Sequence, residues 1–270
     1  MSMVLLNGEL IEAAQLALGW PNRGLAFGDG FFETLIYSNN QLRLAADHAA
    51  RMQQAAAALY LTLPAPLATA EALTATLAGL AEANHLPAAR LRLQVWRSGG
   101  GRYTPPTDAA EWLATAEAFV PDDSPIGRAA FGQETQSVYS PLSFCKGPQA
   151  WLYVRAAHER QQRGLDEILL CDAAGHVAEA GAAALFWLKD NTLYTPALTS
   201  GCVAGVRRAD VLRRALALGI RCQEGLFPMA EALAAEAVFT ANVAAVRAVR
   251  QLGSVAFGEP DLALLASLRG

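Results

Sequence analysis

Lysine is nearly absent from this sequence. The chain carries 21 basic residues, and only Lys146 and Lys189 are lysines. A guanidinium stays charged in proteins, whereas an ε-ammonium can lose its proton when buried and then attack a carbonyl. Lys146, in SPLSFCKGPQAW, is therefore a candidate for chemistry that arginine cannot do; the plainer alternative is a lysine at a strand end. Other absences narrow the field. Cysteines 145, 171, 202 and 222 form no CxxC pair and show no metal-ligand spacing, and the four histidines are scattered. Free thiols in a reducing cytoplasm are expected, with no metal site. The net charge of −4 and the lack of any basic run argue against a nucleic-acid partner or a membrane surface. No apolar run approaches the roughly 18 residues of a spanning helix. The opening MSMVLLNGELIEAA has no basic stretch ahead of its apolar residues, so it does not read as a secretory signal. No GxGxxG leads from a strand into a helix and no GxxxxGK[ST] is present, which leaves dinucleotide and P-loop folds unsupported.

What is present is a chain of 270 residues, 53% hydrophobic, large enough for one or two cores. It opens with a strand, MVLLNGEL, and SNNQ reads as a hairpin turn. Asp47 is the expected N-cap of the next helix, and a second helix is expected over 69–84. ARLRLQVWRS alternates like a half-buried strand and runs into the loop GGGRYTPP. DAAEWLATAEAF fits helix or strand. The prolines and acids of FVPDDSPIG make 119–127 a linker between domains at 1–118 and 128–270. Beyond it, a helix over about 148–163 precedes a strand–turn–strand, DEILLCDAAGHVAEAG. A hairpin turning on Asp190-Asn191 follows, with Lys189 solvated at the turn, then the helix GVRRADVLRRALAL, two strand segments and a closing helix from about 259. Frequent hairpins imply mixed or antiparallel sheets, hence an α/β (α+β) fold without a doubly wound parallel sheet.

A nucleophilic lysine suggests a Schiff base, and pyridoxal phosphate is the commonest cofactor that forms one. Such a cofactor needs a carboxylate at its pyridine nitrogen. Its phosphate needs N–H groups at a helix start and usually an arginine. The chain offers Glu179 after an apolar strand, Gly205 and Val206 at a helix start, and Arg51 on the first helix. From the residues alone, Glu179 is equally a turn residue, Gly205 a plain loop and Arg51 part of a solvated face.

The segments GLAFGDGFFETL, HAARM, FCKG…Y…ER, DEILLCDAAGHVAEAGAAALFWLKDNTLYTP, SGCVAGVRR and AVFTAN resemble, in this order, the class IV (fold-type IV) pyridoxal-phosphate enzymes. That family includes branched-chain and D-amino-acid aminotransferases and 4-amino-4-deoxychorismate lyases. The resemblance implies a smaller N-terminal α/β domain, a larger C-terminal one, a cofactor in the cleft between them, small-molecule substrates and a homodimer. It makes 110–119 a strand. It implies Lys146 as the Schiff-base lysine, Glu179 as the pyridinium partner and Arg51 as the phosphate arginine. Val206 and Arg207 would supply backbone N–H groups, Asn242 would lie on the second phosphate-side loop, and Phe32 would line the substrate site. The sequence departs from the family at Ala184, Arg207 and Val243, where relatives usually carry small polar residues, and leaves Trp151 and Tyr153 as alternatives for the tyrosine near the cofactor's phenolic oxygen.

VWRSGGGRYTP is similar to the arginine–glycine–arginine loop of aminodeoxychorismate lyases, whose substrate carries two carboxylates. Arg97 and Arg102 are the expected partners of those groups, with Arg102 as a solvated loop residue the alternative. The resemblance thus implies a lyase releasing pyruvate and 4-aminobenzoate, a folate precursor. A class IV aminotransferase for branched-chain or D-amino acids is the second reading, and a non-catalytic relative the third.

Overall fold

Asparagine and glycine divide the opening of the chain more finely than its apolar run suggests. Asn7 and Gly8 both have positive φ, 52° and 95°. This pair favours a two-residue hairpin, and it splits the single expected strand into β1 (Met3–Leu6) and β2 (Glu9–Glu12), paired antiparallel. The computed structural model describes residues 2–147, 150–258 and 261–269. They divide into two units, Met1–Val120 with Cys145–Gln149, and Pro121–Phe144 with Ala150–Gly270. The division follows Val120, inside the expected linker, but the short segment carrying Lys146 goes with the first unit.

The first unit continues with α1 (Arg23–Phe27), β3 (Gly30–Ser38), β4 (Gln41–Leu42), α2 (Ala45–Ala58), α3 (Ala70–Ala83), β5 (Ala88–Arg97) and β6 (Ala110–Ala118). Its sheet runs β2-β1-β6-β5-β3-β4, each neighbour antiparallel. The SNNQ turn joins β3 to β4, with Asn39 and Asn40 at φ 52° and 57°. Residues 110–118, ambiguous by pattern, pair with β5 from Ala89↔Ala118 to Arg97↔Ala110 without interruption. On α3, Leu73, Leu77 and Leu80 are fully buried, the i, i+4, i+7 stripe of a helix on a core. Thr69 caps this helix by accepting from the Ala72 N–H. Asp47 does not cap α2: the helix begins earlier, behind Leu44 at φ 54°, and Asp47 lies in its first turn. There its charge complements the helix dipole.

The second unit holds β7 (Ile126–Phe131), α4 (Trp151–Gln162), β8 (Glu167–Cys171), β9 (Val177–Ala180), β10 (Ala184–Lys189), β11 (Thr192–Pro196), α5 (Val206–Ala217), β12 (Arg221–Gly225), α6 (Met229–Leu233), β13 (Ala237–Ala241), β14 (Val246–Leu252), β15 (Val255–Ala256) and α7 (Leu262–Arg269). The start of the expected helix at 148 and of the closing helix at 259 lie outside the described residues. The sheet order is β12-β11-β10-β13-β14-β7-β8-β9, with β15 beside β14. The β11–β12, β14–β7 and β7–β8 pairs are parallel and the others antiparallel, so the sheet is mixed. The hairpin at Asp190-Asn191 has φ of 48° and 54°. Lys189 is not simply solvated there, because its Nζ meets Glu231 at 3.0 Å. Phe186 and Phe239 stack at 5.2 Å across β10 and β13 and pack with Leu193, Val211 and Ala215. No helix among the described residues is long and apolar enough to cross a membrane.

Removing a fully buried aromatic ring leaves a void that packed neighbours fill poorly. Phe239→Ala should lower the unfolding free energy of the second unit by about 3–5 kcal/mol, read from urea midpoints. Leu218→Ala, at a half-exposed site, should change it by less than about 0.5 kcal/mol.

Candidate active site

Strand β3 presents successive residues to opposite sides, and two candidate groups are built on that alternation. Its first residue, Gly30, lies so close to β5 that an added Cβ would sit 2.0 Å from the Val95 carbonyl oxygen. Only glycine permits that approach. Glu33, on one side, is 1% exposed. Its Oε1 accepts from Arg51 Nε at 2.8 Å, its Oε2 accepts from Arg51 Nη2, and His48 Nδ1 lies 2.8 Å from Oε2. Both partners come from α2, three residues apart on its buried face. Burial alone would raise the Glu33 carboxyl, but the Arg51 charge and the His48 contact win and hold it at about 2. Arg51 is therefore a buried residue with one edge of its guanidinium already on a carboxylate, not part of a solvated face.

Phe32 organises the other side. Its N–H donates to the Lys146 carbonyl at 2.8 Å, which fixes the lysine segment against β3. Lys146 Nζ stands 5.9 Å from the Phe32 ring centre, and the Arg92 guanidinium carbon stands 3.4 Å from it. Arg92 is on β5, where its neighbour Thr34 is opposite in register. It has no ion-pair partner among the described residues, and burial of part of the side chain pushes its guanidinium down. Cys145, next to Lys146, is buried, and burial raises its thiol.

The loop after β5 is organised differently from its sequence expectation. Arg97 is 4% exposed. Its Nε donates to Asp29 at 3.0 Å, and Nη1 to Asp108 at 2.8 Å and to the carbonyls of Tyr60 and Thr107. Nη2 donates to the Leu59 carbonyl. Its fork is taken up inside the first unit. Arg23 shares Asp29, at 2.7 Å, and donates to the carbonyls of Gly100 and Arg102. Arg102 meets this cluster through its backbone only, and its side chain is exposed.

In the second unit Glu179 lies on β9, 4% exposed. The β8–β9 register shifts beside its partner, between Leu170 and Cys171, an irregularity of the kind that re-aims side chains. Its Oε1 accepts from the Tyr153 hydroxyl at 2.8 Å and Oε2 from the Val203 N–H at 3.2 Å. Burial and the Glu179 charge drive the Tyr153 phenol far up, so it stays a hydrogen-bond donor. Trp151 is 66% exposed, whereas the Tyr153 hydroxyl is taken up by Glu179. Helix α5 opens on Gly205, with no side-chain cap. The first N–H groups of a helix have no intrahelical partner, and an uncapped start suits an anion. Val206 and Arg207 supply backbone there. The Arg207 side chain instead reaches Asp210 at 2.7 Å and the Arg269 carbonyl at 2.8 Å. Asn242 Oδ1 accepts from the N–H groups of Ala244 and Ala245 and Nδ2 donates to the Ala182 carbonyl, so the side chain builds the turn between β13 and β14. Val243 is buried in that turn, and Ala184 opens β10 opposite Ala241.

Each unit by itself offers groups of the kind pyridoxal phosphate needs: the first a lysine beside an aromatic ring and a buried arginine, the second a buried carboxylate and a helix start without a side-chain cap. Sequence reasoning missed Glu33, His48 and Arg92. The signal for Glu33 was a lone acid inside the apolar run GFFETLIY, costly to bury without a partner. No cluster of three or more His, Cys, Asp or Glu among the described residues could hold a metal.

Losing one partner from this buried ion pair leaves Arg51 uncompensated. Glu33→Gln should destabilise the first unit by about 3–5 kcal/mol at neutral pH. Because the folded carboxyl is held at about 2 against an ordinary 4.5, its contribution is full above pH 4.5 and is lost as the pH falls towards 2. Urea midpoints taken down that range should show the gap between wild type and Glu33→Gln closing.

Comparison with known proteins adds the family. The aminodeoxychorismate lyase of Vibrio harveyi is 26% identical over 236 residues, 82% of this chain and 82% of that protein. Branched-chain-amino-acid aminotransferase 1, mitochondrial, of Arabidopsis thaliana is 34% identical over 99 residues, 36% of this chain. The chain spans only 25% of that protein and 33% of the Escherichia coli branched-chain enzyme it also matches. The branched-chain aminotransferase structure from Thermoproteus uzoniensis superposes with a TM-score of 0.89 at 22% identity, covering 99% of this chain and 93% of that one; it shows the fold. The family model for amino-transferase class IV matches residues 30–252, and the chain belongs to that family, whose enzymes use pyridoxal phosphate.

Proposed function

We propose that the chain is a 4-amino-4-deoxychorismate lyase, acting as a cytoplasmic homodimer and supplying 4-aminobenzoate as a folate precursor. The observation that carries a carboxylated amine as substrate is the pair of cations on one ring, Lys146 and Arg92 at Phe32. Arg92 is exposed, and a guanidinium without an ion-pair partner is open to a carboxylate. The choice of lyase is supported by alignment along 82% of the lyase relative, against matches of about a third or less with the aminotransferases.

In this reading the cofactor, when bound, supplies an electron sink at the substrate's amine-bearing carbon. Lys146 Nζ removes the proton from C4 of the substrate. The bond from the neighbouring ring carbon to the enolpyruvyl oxygen then breaks, the ring becomes aromatic, and the departing enolpyruvate takes up the proton held on Lys146 Nζ and leaves as pyruvate. Glu179 keeps a negative charge at the pyridine nitrogen, steadied by Tyr153 and the Val203 N–H. Val206, Arg207 and Asn242 contribute backbone around the phosphate, with Arg51 as its side-chain partner. Arg92 and the exposed Arg102 are the arginines that remain for the two substrate carboxylates, because the Arg97 fork is already filled. Arg97 instead holds the loop on which Arg102 sits. A branched-chain aminotransferase is the second reading, favoured by the 34% identity of the Arabidopsis relative; it uses the same lysine and needs one carboxylate partner.

Two measurements test this. Borohydride reduction of the coloured protein should fix the cofactor on Lys146; a label on Lys189 would remove the assignment. With aminodeoxychorismate, Arg92→Ala and Arg102→Ala should each lower kcat/KM by about a hundredfold, the scale of a lost charge-assisted contact of roughly 3 kcal/mol. Robust transamination of branched-chain amino acids, with Arg102→Ala silent, would select the second reading.

A further inference from the structure

We infer that Arg207 is a positioning residue that fastens the closing helix α7 to the anion-binding end of the second unit, so that cofactor phosphate affinity depends on how α7 is docked. The inference rests on placing the phosphate at the start of α5 and the Asn242 turn. Arg207 is the second residue of α5 and is 6% exposed. Nη1 donates to Asp210 one turn along and to the backbone carbonyl of Arg269 at 2.8 Å, and Nε reaches the Asn242 carbonyl at 3.4 Å. One side chain thus touches the first turn of α5, the β13–β14 turn and the last turn of α7.

The contact continues on both sides. Arg269 Nη2 donates to the Val246 carbonyl, just beyond the same turn, and its Nη1 pairs with Asp123 at 3.1 Å. Asp123 also accepts from the Val246 N–H. Asp210, 6% exposed, additionally takes Arg214 Nε at 2.9 Å and Arg213 at 3.6 Å. A buried carboxylate needs such partners, and here they hold Arg207 in one orientation. Leu265 and Leu268 of α7 are buried in the core with Phe186 and Phe239, and a cavity of about 330 Å³ lies beside Leu264 and Leu265. The charged end of the helix is its polar fastening to the Asn242 turn. The turn closed by Asn242 has a carbonyl on Arg207 and a flank on Arg269, so freeing either cation loosens the turn without touching its own hydrogen bonds. Arg208, beside Arg207, is also buried, and its Nη2 is taken up by Glu224 and the Pro196 carbonyl.

The test compares pyridoxal phosphate with pyridoxal, which lacks the phosphate, on protein stripped of cofactor and then titrated by absorbance. Wild type should bind the phosphorylated form far more tightly; equal affinities would refute the placement of the phosphate, independently of Arg207. In Arg207→Gln the Kd for pyridoxal phosphate should rise about tenfold, the scale of a coupling carried by packed, hydrogen-bonded neighbours. The Kd for pyridoxal should stay within about twofold, again on the scale of background coupling. Arg207→Lys should recover part of the loss. A general loss of structure would weaken both ligands together, and that result, or an unchanged pyridoxal phosphate Kd, would overturn the inference. If Arg207→Gln fails to fold, Asp210→Asn, which releases the same guanidinium from its anchor, reads the same ratio.

Discussion

A buried carboxylate sets the architecture of the first unit. Glu33 sits in the middle of an otherwise apolar strand, and its charge is tolerated there only because α2 brings an arginine and a histidine to it. Taking such a group out of water costs several kcal/mol unless the partners are well placed. The helix therefore has one acceptable rotation on the sheet, the one that points His48 and Arg51 at the strand. Once that is fixed, strand alternation puts Phe32 on the other side, where its ring meets Lys146 and Arg92 and its N–H holds the lysine segment. One ionised group thus orders the helix on one side of the strand and the Phe32 ring, with Lys146 beside it, on the other.

The sequence made part of this legible. The scarcity of lysine picked out Lys146, and the asparagine and glycine pairs marked the hairpins at Asn39-Asn40 and Asp190-Asn191, because those residues tolerate positive φ. Helical stripes such as Leu73, Leu77 and Leu80 gave α3 its buried face. Long-range partners stayed hidden. Nothing local distinguishes an arginine that will meet a ligand from one that will meet Asp29 and three carbonyls, as Arg97 does. Arg92 looked like one more charged residue on an alternating strand, and its stacking on Phe32 depends on the β3–β5 register, which no short window encodes. Tyr153 and Trp151 lie two residues apart on a helix, so they face different ways; only packing decides which is turned inward. The Asn7-Gly8 hairpin was present in the sequence and was overridden by the apolar residues on either side of it.

The loop from Ser98 to Ala109 has a further consequence. Three glycines make it one of the most permissive stretches of backbone in the chain, yet Arg23 grips its carbonyls near the tip and Arg97 grips its return limb, and both arginines lean on the same Asp29 oxygen. A floppy loop would surrender conformational freedom each time it closed on a ligand, and that loss would subtract from affinity. Here the freedom is surrendered once, as the chain folds. Asp29 is the shared anchor of that arrangement: an acid between two glycines fixes the shape of the loop as the chain folds.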